Sequence, residues 1–472
     1  MYDCIIVGAG VIGASIARNL ARYKLDVLVL EKESDVGDGT SKANSAIVHS
    51  GYDPHIGTLK AKYNVLGNKM FPQVCEELDI EFDKIGSLTI ATREEQLPML
   101  EELCQNGLAN GVDVRIVDKD ELFQMEPFVT KNALKALWAK DAGIVNPFEL
   151  VVALMENAMD NGVELHLEEE VIGIKKNNDI YEVETNKANY QTKVVINAAG
   201  LYSDKINNMY FNDDEKITPR RGQYFVLDHF KMPYVKHTLF SLPSDLGKGV
   251  LVSPTTHGNY LIGPSSDFVS DKDDVGTTNE VLNHVLEQAK LLVDDLHLDQ
   301  VIREFSGNRA YHNSGDFVIN MKEKGFINLV GIQSPGLVSS LAIGKDIVES
   351  FVSNCLGLQE KENYNPRRRP LYRMNKLTIE ERNELIKKNP ELGIIVCRCE
   401  KVSLGEIKDA IERNCGARTI KGVKKRVRPG FGKCQGSFCE PLVASILAKY
   451  QKDIHFGSEK EYVFPSSKGG KR

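Results

Sequence analysis

No apolar run in this 472-residue chain reaches the ~18 residues that would span a bilayer. A strand pattern begins within three residues of Met1 and leaves no room for a cleavable leader. A cytoplasmic protein is expected, at most peripheral on a membrane. There is no surplus of basic charge: the net is -7, which argues against general nucleic-acid binding. Internal repeats and long low-complexity segments are absent. Nine cysteines in a reducing compartment do not make a disulfide framework. No C-x-x-C pair occurs, which removes the spacing most used by structural zinc. What remains is an ordinary composition, 42% apolar and 26% charged, long enough for more than one domain.

The charge is divided unevenly. From Glu391 to Arg472 there are 17 Lys+Arg against 9 Asp+Glu, a surplus of 8 that leaves residues 1–390 at -15. Such a break suggests a separate C-terminal unit. Five cysteines are scattered (Cys4, Cys75, Cys104, Cys355, Cys415) and read as packing residues. The other four form two clusters, Cys397 and Cys399 in "IIVCRCEK" and Cys434 and Cys439 in "GFGKCQGSFCEP". Thiolates are soft ligands that suit zinc or an iron-sulfur cluster. Gly430, Gly432 and Gly436 would let backbone N–H groups approach the sulfurs, and the basic stretch "KGVKKRVRPGFGK" would offset an anionic cluster. On spacing alone a solvated basic loop with reduced thiols and a structural zinc both stay open.

The chain begins "YDCIIVGAGVIGASIARNLARYKLDVLVLEKE", which reads as strand, tight turn, helix and strand. Gly8, Gly10 and Gly13 supply G-x-G-x-x-G: a sharp turn, close approach to a pyrophosphate, and close helix packing. Free N–H groups at the helix N-terminus would meet the phosphates. Glu31 ends the second strand, where a carboxylate can accept from ribose hydroxyls. Further on, "TKVVINAAGLYSDKI" is a buried strand ending in small residues, and "GFINLVGIQSPGLVSSLAIGKDIVESF" is a strand, a Gly/Pro turn and a helix. That helix offers a second N-terminus, for which a simple NAD domain has no use.

"GAGVIGASIARNLA", "INAAGLYSD" and "GIQSPGLVSSLAIG" resemble the D-amino-acid-oxidase-type FAD oxidoreductases over about residues 1–352. Within them, "NSAIVHSGYDPHIGTLKAKYNVLGN", "PRRGQYFVLD", "GVLVSPTTHGNYLIGPSSD" and "FSGNRAY" resemble the group of FAD-dependent glycerol-3-phosphate dehydrogenases and L-2-hydroxyglutarate oxidases. The cysteine unit resembles the bacterioferritin-associated-ferredoxin type of [2Fe-2S] domain. The combination resembles the large subunit of anaerobic glycerol-3-phosphate dehydrogenase.

The resemblance implies an α/β fold: a Rossmann-like FAD-binding domain, a discontinuous α+β substrate cap, and a small C-terminal helical [2Fe-2S] domain. The FAD pieces are expected at about 1–80, 145–215 and 305–352, and the cap at about 81–144 and 216–304. A linker would follow at 353–392, the cluster domain at 393–450 and a loose tail at 451–472. Within the linker, Thr378 and Glu381 pattern as the cap of a short helix.

FAD and a [2Fe-2S] cluster are the implied cofactors, the latter on Cys397, Cys399, Cys434 and Cys439. FAD contacts are expected around the first turn at Gly8, Gly10, Val11, Ile12 and Gly13, and at Glu31, Lys32 and Ser45. Others are expected at Val171, at Ala199 and Gly200, and at Gly336 and Leu337. Oxidising a secondary alcohol needs a base, for which His49 is the first candidate and His257 the second. Arg309 matches the arginine that the family sets over the flavin for the substrate's acidic group. Ser50, Arg221 and Tyr311 are weaker candidates for substrate contact.

The implied substrate is a small anionic 2-hydroxy compound, sn-glycerol 3-phosphate first, L-2-hydroxyglutarate second, an amino acid or opine third. A non-catalytic electron-transfer subunit is the alternative of another class. Electrons would leave through the cluster to a second redox subunit or acceptor protein, in a hetero-oligomer.

Overall fold

The computed structural model describes residues 1–230, 234–242 and 249–450, so the expected tail at 451–472 lies outside the described residues. The described chain forms three bodies, the first two interleaved in sequence.

The first is an eight-stranded sheet with a parallel centre. Tyr2–Val7 (β1) lies between Val27–Leu30 (β2) and Asn189–Asn197 (β3), parallel to both. Beyond them, Glu164–His166 extends β2 and Phe326–Val330 extends β3, again in parallel. The period of two divides β1 between the two faces. Cys4 and Ile6 join a helix-covered core with Ile16, Leu20, Phe71, Leu154 and Val338. Ile5 and Val7 pack on the other side with Tyr181 and Phe326. Val11–Leu20 (α1), Leu59–Leu78 (α2), Pro147–Asp160 (α3) and Gly336–Asp346 (α4) contribute to the first core. A Cβ on Gly67 would lie 2.0 Å from the Val338 carbonyl oxygen, so α2 and α4 touch backbone to backbone.

The second body is a nine-stranded sheet. Its spine is Thr218–Leu227 (β4) paired antiparallel with Val301–Tyr311 (β5) from end to end. Ser87–Ala91, Val114–Val117 and Lys135–Ala139 add strands from an earlier stretch of chain. Residues 305–311 were expected with the flavin pieces, yet they belong to this sheet. The return to the first sheet comes after Tyr311, because β5 must run the whole length of β4 to close the cap.

The third body is small. Ile395–Cys397 pairs with Val402–Ser403, and the helices Leu404–Glu412 (α5), Ile420–Val427 (α6) and Glu440–Leu447 (α7) enclose Ile407, Val423, Val443 and Leu447. The connecting stretch is fastened down. Lys24 N–H donates to the Gln359 carbonyl and Lys361 N–H to the Arg22 carbonyl, each at 2.8 Å. Arg368 reaches Glu156 at 2.8 Å with both side chains almost fully buried. Arg373 bonds to Asp79, Asp79's carbonyl and Glu149. Thr378 and Glu381 do form a reciprocal cap on the helix Ile379–Lys388. The charged residues that read as linker in sequence are thus partners for carboxylates on α3 and just past the end of α2. Among the described residues, no helix is long and apolar enough to cross a membrane.

Candidate active site and cysteine centre

The turn after β1 is built by collision. A Cβ on Gly8, which has φ +104°, would lie 2.6 Å from the Ala198 carbonyl oxygen at the end of β3. On Gly13 it would lie 1.9 Å from the Gly8 carbonyl oxygen. Only glycine allows α1 to sit this close to the strand. Gly10 is different: its Cβ would meet only the Ser41 hydroxyl, at 3.3 Å. Val11 N–H, in the first turn of α1, donates to that hydroxyl at 2.9 Å. Glu31 follows β2 directly and is buried; it accepts from Ala9 N–H at 2.7 Å and Glu33 N–H at 2.9 Å. Burial nevertheless pushes its carboxyl up, and the two N–H bonds only oppose this. Further hydroxyl donors, such as a ribose diol, would favour its charged form. Ile12 is buried with α1, and Val171 starts an edge strand of the same sheet. Lys32 Nζ sits 3.6 Å from the centre of the Tyr202 ring, just beyond Ala199 and Gly200. Gly336 and Leu337 open α4.

Residues 40–51 run along the seam between the two sheets. Thr40 donates to the Asn308 carbonyl at 2.7 Å, and a Cβ on Gly307 would lie 2.1 Å from the Ala43 carbonyl oxygen. Ser45 Oγ is 3.0 Å from the Tyr224 hydroxyl, which also hydrogen-bonds with Arg309. The His49 carbonyl is held by the amides of Asn64 (2.7 Å) and Asn68 (3.2 Å) on α2, and its ring lies 5.8 Å from that of Phe240. The Ser50, Ser306 and Ser339 hydroxyls are buried without a hydrogen-bond partner among the described residues. Orphaned polar atoms of this kind along one seam fit a polar cofactor, and with the glycine turn and Glu31 they fit FAD.

Arg309 donates to the Ser265 carbonyl at 2.7 Å and has no carboxylate at ion-pair distance among the described residues. A Cβ on Gly222 would lie 2.5 Å from its Nη2, so Gly222 makes room for the guanidinium. Its cross-strand neighbour is Arg220. Burial, and then Arg309 itself, pushes Arg220 below its ordinary value. The adjoining residue of the expected set, Arg221, points to the other face, where Nη1 meets Asp274 Oδ2 at 2.8 Å. The alternation of a strand therefore exchanges Arg221 for Arg220 as the neighbour of Arg309. Tyr311 packs edge-on to Phe268 at 5.1 Å, and the Arg220 guanidinium lies 6.0 Å from the Tyr311 ring centre.

His257 departs from its expected role. Asn146 Oδ1 caps α3, so its amide must donate to His257 Nε2, at 3.0 Å. Nδ1–H then faces Glu81 Oε2, also at 3.0 Å. Burial lowers the pKa of this ring, and both nitrogens are taken. It braces the junction with the C-terminal unit. Sequence reasoning passed over Arg220 and Tyr224, although both stand in the quoted "PRRGQYFVLD"; counting every second residue from Gly222 would have found them.

The four clustered cysteines form two pairs. Cys399 Sγ lies 3.7 Å from Cys434 Sγ, and the Cys439 thiol hydrogen-bonds with Cys397. Two thiolates on one tetrahedral metal with bonds of ~2.3 Å lie ~3.8 Å apart. Among the described residues no three His, Cys, Asp or Glu side chains converge on a single ion. Zinc does not fit this arrangement. The four cysteines would fit a [2Fe-2S] cluster, which takes four thiolates over a wider object. Cys397 and Cys439 are buried, while Cys399 is exposed and Cys434 half-buried. Burial and then Cys397 push Cys439 up to about 12. Backbone N–H groups of Gly436 and Phe438 outweigh the lesser desolvation of Cys434 and lower its pKa.

Residues 3–350 match the family of FAD dependent oxidoreductases (DAO), and residues 395–449 match the BFD-like [2Fe-2S] binding domain. The chain is 48% identical to a glycerol 3-phosphate dehydrogenase of Caloramator mitchellensis, over 95% of this chain and 94% of that one. It is 29% identical to a mitochondrial L-2-hydroxyglutarate dehydrogenase of Arabidopsis thaliana, over 74% and 83%. A solved structure of dithionite-reduced L-alpha-glycerophosphate oxidase from Mycoplasma pneumoniae with FAD bound superposes with a TM-score of 0.75 at 32% identity, over 79% of this chain and 99% of that one. This chain belongs to the DAO family of FAD dependent oxidoreductases and carries a BFD-like [2Fe-2S] binding domain.

Proposed function

We propose that this oxidoreductase oxidises sn-glycerol 3-phosphate to dihydroxyacetone phosphate and delivers the electrons through its cysteine unit to a partner protein. When bound, FAD supplies a two-electron acceptor and the cluster a one-electron relay. The observation that carries the reading is the adjacent pair Arg220 and Arg309 on neighbouring strands, with no carboxylate paired to Arg309 among the described residues. Two guanidiniums side by side repel, and a phosphate dianion bound by the Arg309 fork relieves that repulsion. Similarity to the Caloramator dehydrogenase across both units supports the same choice.

Arg309 and Arg220 hold the phosphate, and Tyr224, bridging Ser45 and Arg309, fixes the Arg309 guanidinium. Oxidation of a secondary alcohol removes a hydride from carbon and a proton from oxygen, leaving a carbonyl. The His49 imidazole takes that proton. The Asn64 and Asn68 amides clamp its backbone, which sets where the ring can reach. Cys397, Cys399, Cys434 and Cys439 would hold the cluster, the buried Cys397 and Cys439 from the protein side.

The test is flavin bleaching without oxygen. Glycerol 3-phosphate should bleach the protein at the lowest concentration in a panel containing L-2-hydroxyglutarate, glycine and an opine. Preferential bleaching by the hydroxyglutarate would transfer the arginine pair to a carboxylate. Bleaching by none would favour an electron-transfer subunit without catalysis.

A further inference from the structure

The basic stretch before Cys434 reads in sequence as compensation for an anionic cluster. The structure uses its centre elsewhere. On α6, Arg426 grips Asp35 with two parallel bonds, Nη1 to Oδ2 at 2.8 Å and Nη2 to Oδ1 at 2.9 Å. Its Nε is fixed by the Cys415 carbonyl at 2.9 Å, so the fork has one orientation. Lys425 reaches Asp38 at 2.7 Å, Asp35 at 2.8 Å and the Val36 carbonyl at 3.1 Å. All four side chains are at most 4% exposed. Surface ion pairs are worth little, but a buried pair with every arm bonded fixes geometry.

The gripped loop begins four residues after Glu31. Gly37 N–H donates to the Ala9 carbonyl at 3.0 Å, in the middle of the glycine turn. Ala9 N–H in turn donates to Glu31. Lys42 lies 3.8 Å from Asp38, and Ser41 beside it accepts from Val11 at the start of α1. The C-terminal unit therefore holds a loop that touches the turn directly, is linked to Glu31 through Ala9, and runs on to Ser41 at the α1 N-terminus.

We propose that Lys425 and Arg426 are positioning residues of the FAD site: by clamping Asp35–Asp38 they set the glycine turn, so that FAD retention depends on a helix of the iron-sulfur unit. Binding free energies are reciprocal, so FAD must tighten the docking of that unit by the same factor. This coupling holds whichever substrate the enzyme takes.

The test uses full-length protein stripped of FAD and retitrated by quenching of flavin fluorescence. Arg426→Met should weaken FAD by about tenfold to a hundredfold, the value of a charge-assisted contact. Iron content and circular dichroism should stay as in the parent. Arg426→Lys, which keeps the charge but not the fork, should recover part of the affinity. Arg428→Met cuts a contact of the same unit with Asn259 on the cap and should leave FAD affinity within about twofold. Should Arg426→Met fail to fold, the double variant Asp35→Asn, Arg426→Met removes the stranded buried charge and should show the same weakening. In the reciprocal arm, FAD should slow amide exchange in residues 420–427 of the parent and not of Arg426→Met. Unchanged affinity in a folded variant lacking the clamp would overturn the proposal. So would equal losses in Arg426→Met and Arg428→Met, which would assign the effect to undocking in general.

Discussion

Two glycine-crowded loops, the ones proposed to hold the two cofactors of this enzyme, are built to opposite ends. The turn at Gly8–Gly13 is pressed between a strand end and a helix, with backbone atoms within 2.6 Å and 1.9 Å of any added Cβ. The loop at Gly430–Cys439 buries Cys439 and leaves Cys434 half-buried beside the exposed Cys399, with Phe438 80% exposed. On the proposed reading, electrons enter at the enclosed end and leave at the exposed one. The contrast assigns loss of binding to the first loop and loss of delivery to the second.

The largest effect should come from Gly13→Val. Its side chain would overlap the Gly8 carbonyl, and neither backbone can yield, so FAD and the fold of the first domain should be lost together. Absorbance of the purified protein and its melting curve check this. A folded yellow variant would break the contrast at its buried end.

Cys434→Ser should lose the cluster completely yet keep FAD, since the serine oxygen is a poorer ligand and the first domain has its own core. Iron analysis and the flavin spectrum separate the two. Loss of FAD along with iron would mean that the cluster itself is needed for the docking that Lys425 and Arg426 provide.

Arg309→Ala should raise the KM for glycerol 3-phosphate by about tenfold to a hundredfold, the value of a charge-assisted hydrogen bond. FAD should be retained. Steady-state kinetics with an artificial dye reads the change. An effect on kcat alone would place Arg309 in the reacting step rather than in binding.

Acid sharpens the comparison at the seam. Burial opposes ionisation of Asp35, but Arg426 and then Lys425 outweigh it and hold the carboxyl well below the usual range. A depressed carboxylate contributes stability above its unfolded value of ~3.9 and loses it as pH falls further. FAD retention should therefore be flat from neutral pH down to about 4 and decline progressively below it. Release beginning near pH 6 would implicate a histidine instead.

Phe438→Ala should do least to the fold, within about 0.5 kcal/mol, because an exposed ring has little to lose. Flavin bleaching by substrate should also be unchanged.

The first domain was legible because its signals are local. Gly8, Gly10 and Gly13 stand at fixed spacing and Glu31 follows a strand; in the connecting stretch, too, Thr378 and Glu381 cap their helix within four residues. What could not be read depends on pairing across the chain. Choosing Arg220 over Arg221 needs the register of β4 against β5. His257 looks like any catalytic histidine until Glu81 and Asn146, far away in sequence, occupy its ring. Lys425 and Arg426 read as solvent-facing charge because Asp35 and Asp38 are nearly 390 residues away. Charged side chains in a stretch of one sign are ambiguous until their partners are placed.

The most direct test mixes the anaerobic wild-type protein with sn-glycerol 3-phosphate and follows two signals, the flavin absorbance and the paramagnetic resonance of a reduced [2Fe-2S] cluster in samples frozen at successive times. The expected result is bleaching of the flavin followed by growth of the cluster signal, with both lost in Arg309→Ala at the same substrate concentration and only the second lost in Cys434→Ser. A flavin that bleaches fully while the cluster stays oxidised would contradict the relay and leave the four cysteines a structural role.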